Sequence, residues 1–249
     1  MDKTNIKVLV LGHNGMLGHV VHHFLKEKNL NIQTINHRFP SVEFIEEVSK
    51  SNANFLINCI GSIPQKGESG PNFIINNFLL PVFLSNYFNG RIIHPSSDCE
   101  DIKAKDLYAE SKVKAFEYLK NKDKVNIIKC SIIGPELSSK KSLWEWFANN
   151  KEKSLPGYTN HFWNGITTLE WSKIAFKIIK GEITKKTLTV GTEKLSKFNL
   201  LKILNNQLHL NKKILPKPLK TAIDRSVYSD LTVDDIEKQI KDLIIWYNK

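Results

Sequence analysis

Tyr108 and Lys112 stand four residues apart, the spacing that puts two side chains on one face of a helix. An ammonium beside a phenol favours the phenolate, which makes tyrosine a usable proton donor near neutral pH. Ser97 lies in Pro95-Ser96-Ser97-Asp98-Cys99, just past a predicted strand, and adds a hydroxyl able to align a carbonyl oxygen with that phenol. The three suit reduction of a ketone, in which one oxygen is held and protonated while hydride arrives from a cofactor. Tyr118 and Lys122 repeat the spacing, but at the far end of the same predicted helix, before the charged turn Asn121-Lys122-Asp123. Tyr108 opens that helix and is the candidate acid; Lys112 tunes it and holds the cofactor ribose.

The hydride source is written near the start of the chain. Gly12, Gly15 and Gly18 follow G-x-x-G-x-x-G between an apolar run (Val8 to Leu11) and a helical pattern (Met16, Leu17, Val20, Val21, Phe24, Leu25). Gly12 permits a tight turn, Gly15 leaves room for a pyrophosphate at the helix N-terminus, and Gly18 lets the helix pack closely. Asn14, Met16 and Leu17 complete the candidate phosphate contacts. The second strand, predicted over 31–36, ends without the carboxylate that would bond ribose hydroxyls; Asn36, His37 and Arg38 follow instead. Arginine pairs with a ribose 2′-phosphate, so NADP(H) is favoured over NAD(H). His13, inside the motif, is expected to point to solvent.

Strands at Val8–Leu11, 31–36, 54–60, 91–94 and 125–130 alternate with helices at 16–28, 42–49, 72–89 and 107–120. That order predicts a doubly wound parallel sheet, with ligands at the strand C-termini. Asn58, Cys59 and Gly61, where the third strand runs into its turn, are then candidates to line the cofactor crevice. Pro81 should kink or break the 72–89 helix. Past Gly134-Pro135 the elements shorten: helices at 143–147, 169–180, 196–208 and 232–248, a short strand at 188–191, and a loop over 153–165. The expected organisation is a nucleotide-binding domain over 1–134, with some later segments returning to it, and a small substrate lobe over most of 135–249. Trp144, Trp146 and Trp163 are expected in the core rather than stacked on a base.

The 249 residues carry a net charge of +11, but the lysines are scattered rather than gathered into an arm. A lysine-rich solvated surface is expected, with no nucleic-acid partner. No apolar run is long enough for a bilayer, and the N-terminus leads almost directly into a strand, leaving no room for a signal peptide. Cys59, Cys99 and Cys130 have no metal-ligand spacing and read as reduced thiols. A cytoplasmic protein without a metal is expected, and a homodimer is left open.

Gly12-x-x-Gly15-Met16-Leu17-Gly18, Pro95-Ser96-Ser97-Asp98 and Tyr108-x-x-x-Lys112, in this order, resemble the extended short-chain dehydrogenase/reductases, above all the dTDP-4-dehydrorhamnose reductase-like branch. Asn77, Pro81 and Leu84 are similar to that branch's N-x-x-x-P-x-x-L helix, which adds Asn77 to the cofactor set. Segments 130–134, 142–147, 165–168 and 224–226 also resemble members, so the likeness spans nearly the whole chain. It implies a Rossmann-type fold with a small C-terminal substrate-binding lobe, and NADPH-dependent reduction of a nucleoside-diphosphate 4-keto-6-deoxy sugar. Asp98, Lys140, His161 and Arg225 are the implied substrate contacts. The sequence departs from the branch at His13, at Ser97 in place of a threonine, at Ser226 after Arg225, and in the short 98–107 stretch. Two other readings follow: an epimerase–reductase using Cys99 and His161, and a non-catalytic nucleotide-binding subunit similar to the regulatory subunit of methionine adenosyltransferase.

Overall fold

A computed structural model describes residues 6–67, 70–98 and 106–249. The chain opens with β1 (Lys7–Leu11), α1 (Met16–Glu27), β2 (Asn31–Thr34), α2 (Val42–Lys50) and β3 (Phe55–Asn58). After a 3-10 turn at Pro64–Lys66 come a single helical turn α3 (Gly70–Asn72), a π-helical stretch at Phe73–Leu79 and α4 (Leu80–Tyr87). Then follow β4 (Arg91–Ser96), α5 (Leu107–Leu119) and β5 (Val125–Lys129). These strands form the expected parallel sheet, in the order β5-β4-β3-β1-β2.

Alternation along each strand explains the two covered faces. Val8 and Val10 enter one core with Val20, Val21 and Phe24 of α1, while Leu9 and Leu11 enter a second with Phe44, Leu80 and Leu84 of α2 and α4. Both faces of β1 are buried, so it reads as a continuous apolar run, whereas β2 at the edge alternates exposed and half-buried residues. The strand order reverses between β1 and β3, opening a crevice at their C-terminal ends.

Pro81 acts through the turn before it. Proline cannot donate to a carbonyl one turn back, and the preceding stretch widens, so that Leu80 N–H bonds Ile75 O. The helix is thus continuous over 70–87 rather than broken.

The second half holds more strand than its sequence suggests. It comprises β6 (Ile132–Ile133), α6 (Leu143–Asn149), β7 (Ser154–Tyr158), β8 (His161–Trp163), β9 (Ile166–Thr167), α7 (Thr168–Ile179), β10 (Thr187–Thr189), β11 (Leu195–Ser196), α8 (Lys197–Gln207), β12 (Lys213–Lys217), β13 (Ile223–Asp224) and α9 (Ile236–Tyr247). The stretch expected as a loop, 153–165, supplies β7 and β8. They pair with partners far along the chain: β7 with β12, and β8 with β13 and β11. The last helix starts at Ile236 rather than 232, where Asp235 caps it by accepting from Lys238 N–H. Segments do return to the first half: β10 extends the sheet beside β5, and α7 packs on α1.

α9 returns as well. Tyr247 Oη lies 2.9 Å from His19 Nε2, and His19 Nδ1 lies 2.8 Å from Gly15 O. Burial pushes His19 below the usual histidine range. The neutral ring then donates from Nδ1 to the Gly15 carbonyl and accepts from the phenol at Nε2.

Among the described residues no helix is long and apolar enough to cross a membrane.

Candidate active site

The C-terminal ends of β1, β3, β4 and β5 open on a cleft of about 1720 Å³. That exceeds the roughly 300–1,000 Å³ of a site for one drug-sized ligand. Gly12, His13, Asn14, Gly15, Met16 and Leu17 line one end. Gly12 has φ +73°, and a Cβ there would sit 2.9 Å from the Cys59 carbonyl carbon. Gly18 lies behind the turn, outside the lining: its Cβ would meet Gly12 O at 2.0 Å, so glycine lets α1 press onto the turn. α1 starts at Gly15 with no side-chain cap and no acidic residue in its first turn. Its positive end and amides are left to an anion, which fits a nucleotide pyrophosphate.

His13 does not simply face solvent, as expected. It is half-buried, its Nδ1 is buried without a hydrogen-bond partner among the described residues, and its ring centroid is 6.1 Å from that of His22. Arg38 is exposed and lines the cleft after β2, while its neighbour His37 bonds Glu47 at 2.8 Å. No carboxylate occurs between Ile35 and Phe39 on that rim.

Cys59 and Gly61 line the cleft, but Asn58 and Asn77 lie behind it. Asn58 is buried; its Oδ1 accepts from Ile60 N–H, and its Nδ2 lies 3.3 Å from His94 Nδ1. Asn77, also buried, accepts from Ser62 N–H at 2.8 Å and donates to Ser62 O at 3.0 Å and to Ser111 Oγ at 3.3 Å. Both asparagines therefore shape the turn after β3. Burial, reinforced by the Lys112 charge, holds His94 down at about 3 and hence neutral. Burial alone pushes the Cys59 thiol up, which leaves it protonated.

Tyr108 is the second residue of α5, which Asp106 caps by accepting from Ala109 N–H at 2.8 Å. Its ring packs edge-on against Phe73 with centroids 5.6 Å apart. Lys112, one turn on, reaches the β3 turn, where a Cβ on Gly61 would stand 3.5 Å from its Nζ. Ser97 follows β4 and donates to Asp98 Oδ1 at 3.0 Å. Ser97, Tyr108 and Lys112 all line the same cleft as the glycine turn. A hydroxyl, a phenol and an ammonium so placed can hold and protonate a carbonyl oxygen.

The far end of the cleft is lined by Asp98, His161, Trp163, Lys197 and Arg225. Asp98 follows β4 of the main sheet, and the small β11-β8-β13 sheet gathers the others, because His161 and Trp163 lie on β8, Lys197 follows β11 and Arg225 follows β13. Arg225 N–H bonds Phe162 O at 3.0 Å, and its guanidinium lies 3.9 Å from Asp98. Lys140 points elsewhere: it is exposed, with φ +48°, and its neighbour Lys141 lines the cleft instead. Burial, then Lys197 and Arg225, lower His161 against the pull of Asp98. Cys99 lies outside the described residues. Trp144 is buried as expected, but Trp146 is 42% exposed and lines the cleft. Sequence reasoning missed Lys197, Lys66 and Glu136; the last two face each other across the mouth at 3.7 Å. No group of His, Cys, Asp and Glu among the described residues is arranged to hold a metal.

No family model matches the sequence, and no curated protein matches it. Solved structures match its fold. A dTDP-4-dehydrorhamnose reductase from Clostridium acetobutylicum superposes with a TM-score of 0.81 at 16% identity, covering 98% of this chain and 100% of that one. The Bacillus anthracis dTDP-4-dehydrorhamnose reductase in complex with NADP gives 0.81 at 12% identity, covering 97% and 99%. The dTDP-glucose 4,6-dehydratase of Bacillus anthracis in complex with NAD gives 0.75 at 13% identity, covering 98% and 96%. The chain thus has the Rossmann-like fold of these sugar-nucleotide enzymes.

Proposed function

We propose that this protein is an NADPH-dependent reductase that converts the 4-keto group of a nucleoside-diphosphate 6-deoxy sugar to a hydroxyl. The observation that carries the reading is the convergence of Ser97, Tyr108 and Lys112 on one cleft with the Gly12–Leu17 turn. The turn and the start of α1 hold the cofactor diphosphate, and Arg38 takes the ribose 2′-phosphate. When bound, the reduced nicotinamide supplies the hydride.

The chain's own residues do the rest. Ser97 exchanges its bond to Asp98 for one to the substrate oxygen and fixes its position. Tyr108 gives that oxygen its proton, so charge does not build up on it. Lys112, beside the Gly61 turn, stabilises the phenolate left behind and holds the nicotinamide ribose. Asn77 and Asn58 keep the turn in place from behind.

Tyr108→Phe is the test. Turnover should fall about 10²–10⁴-fold, the usual contribution of a positioned general acid, with NADPH affinity retained. Reduction at the parent rate by this variant removes Tyr108 from the mechanism. NADPH binding without oxidation across a panel of 4-keto nucleotide sugars would favour the non-catalytic subunit.

A further inference from the structure

The basic end of the cleft holds a cation that the reduction chemistry leaves unused. Lys197 is the first residue of α8, half-buried, with its Nζ 5.1 Å over the Trp163 ring. Its other charged neighbours are Asp98 and Arg225, and His161 lies on the same wall. Among the described residues no hydrogen-bond or ion-pair partner comes within reach of the ammonium, and Asp98 lies closer to Arg225. The fold gains little from this placement, since a cation at a helix N-terminus opposes the helix dipole. Among the described residues, the Asp98 carboxylate thus faces an arginine, a lysine and an imidazole, beside the Ser97 hydroxyl.

We infer that Lys197, opposite Arg225 and against the face of Trp163, is the seat of an anionic oxygen group on the substrate. The inference rests on the sugar-nucleotide reading above for the substrate's identity, and on the Lys197 cluster alone for the seat. Lys197→Met keeps the stem over Trp163 and removes the charge; Lys197→Arg keeps the charge. Burial, opposed by Asp98 and aided by Arg225, brings Lys197 down to about 8, so its charge is conditional near neutrality. An anion entering the seat favours the charged form. Ligands should therefore bind less well as Lys197 loses its proton, about tenfold from pH 7 to pH 9 for one required proton.

The experiment titrates the NADP⁺-saturated protein with UDP-glucose and with UDP-glucuronate at pH 7, 8 and 9. Binding to the parent should weaken about tenfold over this range; Lys197→Arg should flatten the profile, and Lys197→Met should bind about tenfold less well at pH 7 and also be flat. Equal losses for both ligands in Lys197→Met identify the diphosphate as the seated group. A loss confined to UDP-glucuronate identifies a sugar carboxylate. Parent-like binding of both ligands by Lys197→Met, at an unchanged thermal midpoint, overturns the seat and leaves the sugar-nucleotide reading intact. Sulfate separates the opposite case. If neither nucleotide sugar binds, a sulfate-induced shift of the Trp163 indole resonance that Lys197→Met abolishes upholds the seat and removes the nucleotide reading; no shift overturns both.

Discussion

Along one end of the cleft, from Gly12 to Leu17, the lining is a glycine turn and a helix start; along the other, it is the side chains of His161, Lys197 and Arg225. The first is built by a single continuous segment and is held by close backbone contact. Gly18 has no room for a Cβ against Gly12 O, and Gly12 has none against Cys59. The second is assembled by three short strands whose members lie tens of residues apart. A site made of backbone constrains the fold around it, whereas a site made of side chains on a small sheet can change its chemistry without changing the sheet.

That contrast can be broken most forcefully at Gly18. Gly18→Val should destabilise the fold by about 3 kcal/mol, the upper end for overpacking, and abolish NADPH binding together with it. Thermal unfolding and cofactor titration check both effects, and a variant that keeps both refutes the close-contact account. Acid should act next most strongly, through the wall behind the turn. His94 is held at about 3 in the fold against 6.5 unfolded, so between those values the unfolded state binds the extra proton. Stability should be full above pH 6.5 and fall by about 1.4 kcal/mol per pH unit below it, or about 2 kcal/mol by pH 5. His94→Gln should show a shallower fall when thermal midpoints are compared from pH 7 to pH 5.

Two smaller effects sharpen the comparison. Arg38→Ala should weaken NADPH binding about tenfold, the equivalent of one charge-assisted pair, and leave NADH binding unchanged. Equal losses for the two cofactors would show that Arg38 does not read the 2′-phosphate. Arg225→Gln, on the other wall, should shift stability by no more than about 0.5 kcal/mol, as expected for a change at the cleft surface. Its effect should be confined to the substrate KM, and a drop in NADPH affinity would show that the two ends are coupled.

The sequence was most informative where structure is local. Apolar runs marked the strands of the main sheet, and glycine spacing marked the turn. Tyr108 was placed at the opening of α5, where Asp106 caps the helix. The 153–165 segment was misread because Pro156, Gly157 and Gly165 punctuate it like a loop, while its strands are only fixed by partners more than thirty residues away. Asn58 is expected at the turn after β3 and Asn77 in the cofactor set through its helix motif; their hydrogen bonds to Ile60 and Ser62 set both behind that turn as supports. Lys197 carried no local signal, being one of 36 lysines and arginines. The pairing of β11 with β8 brings it to the cleft wall beside Trp163, near Asp98 and Arg225.

The bond between Tyr247 and His19, which His19 passes on to the Gly15 carbonyl, joins residues 228 apart in sequence. Contacts of such separation close a long loop and so form late in folding, after the local elements they join. The glycine turn is local in sequence, yet its support through His19 comes from α9, the last helix. A turn written in seven consecutive residues is therefore completed only when α9 has docked on α1.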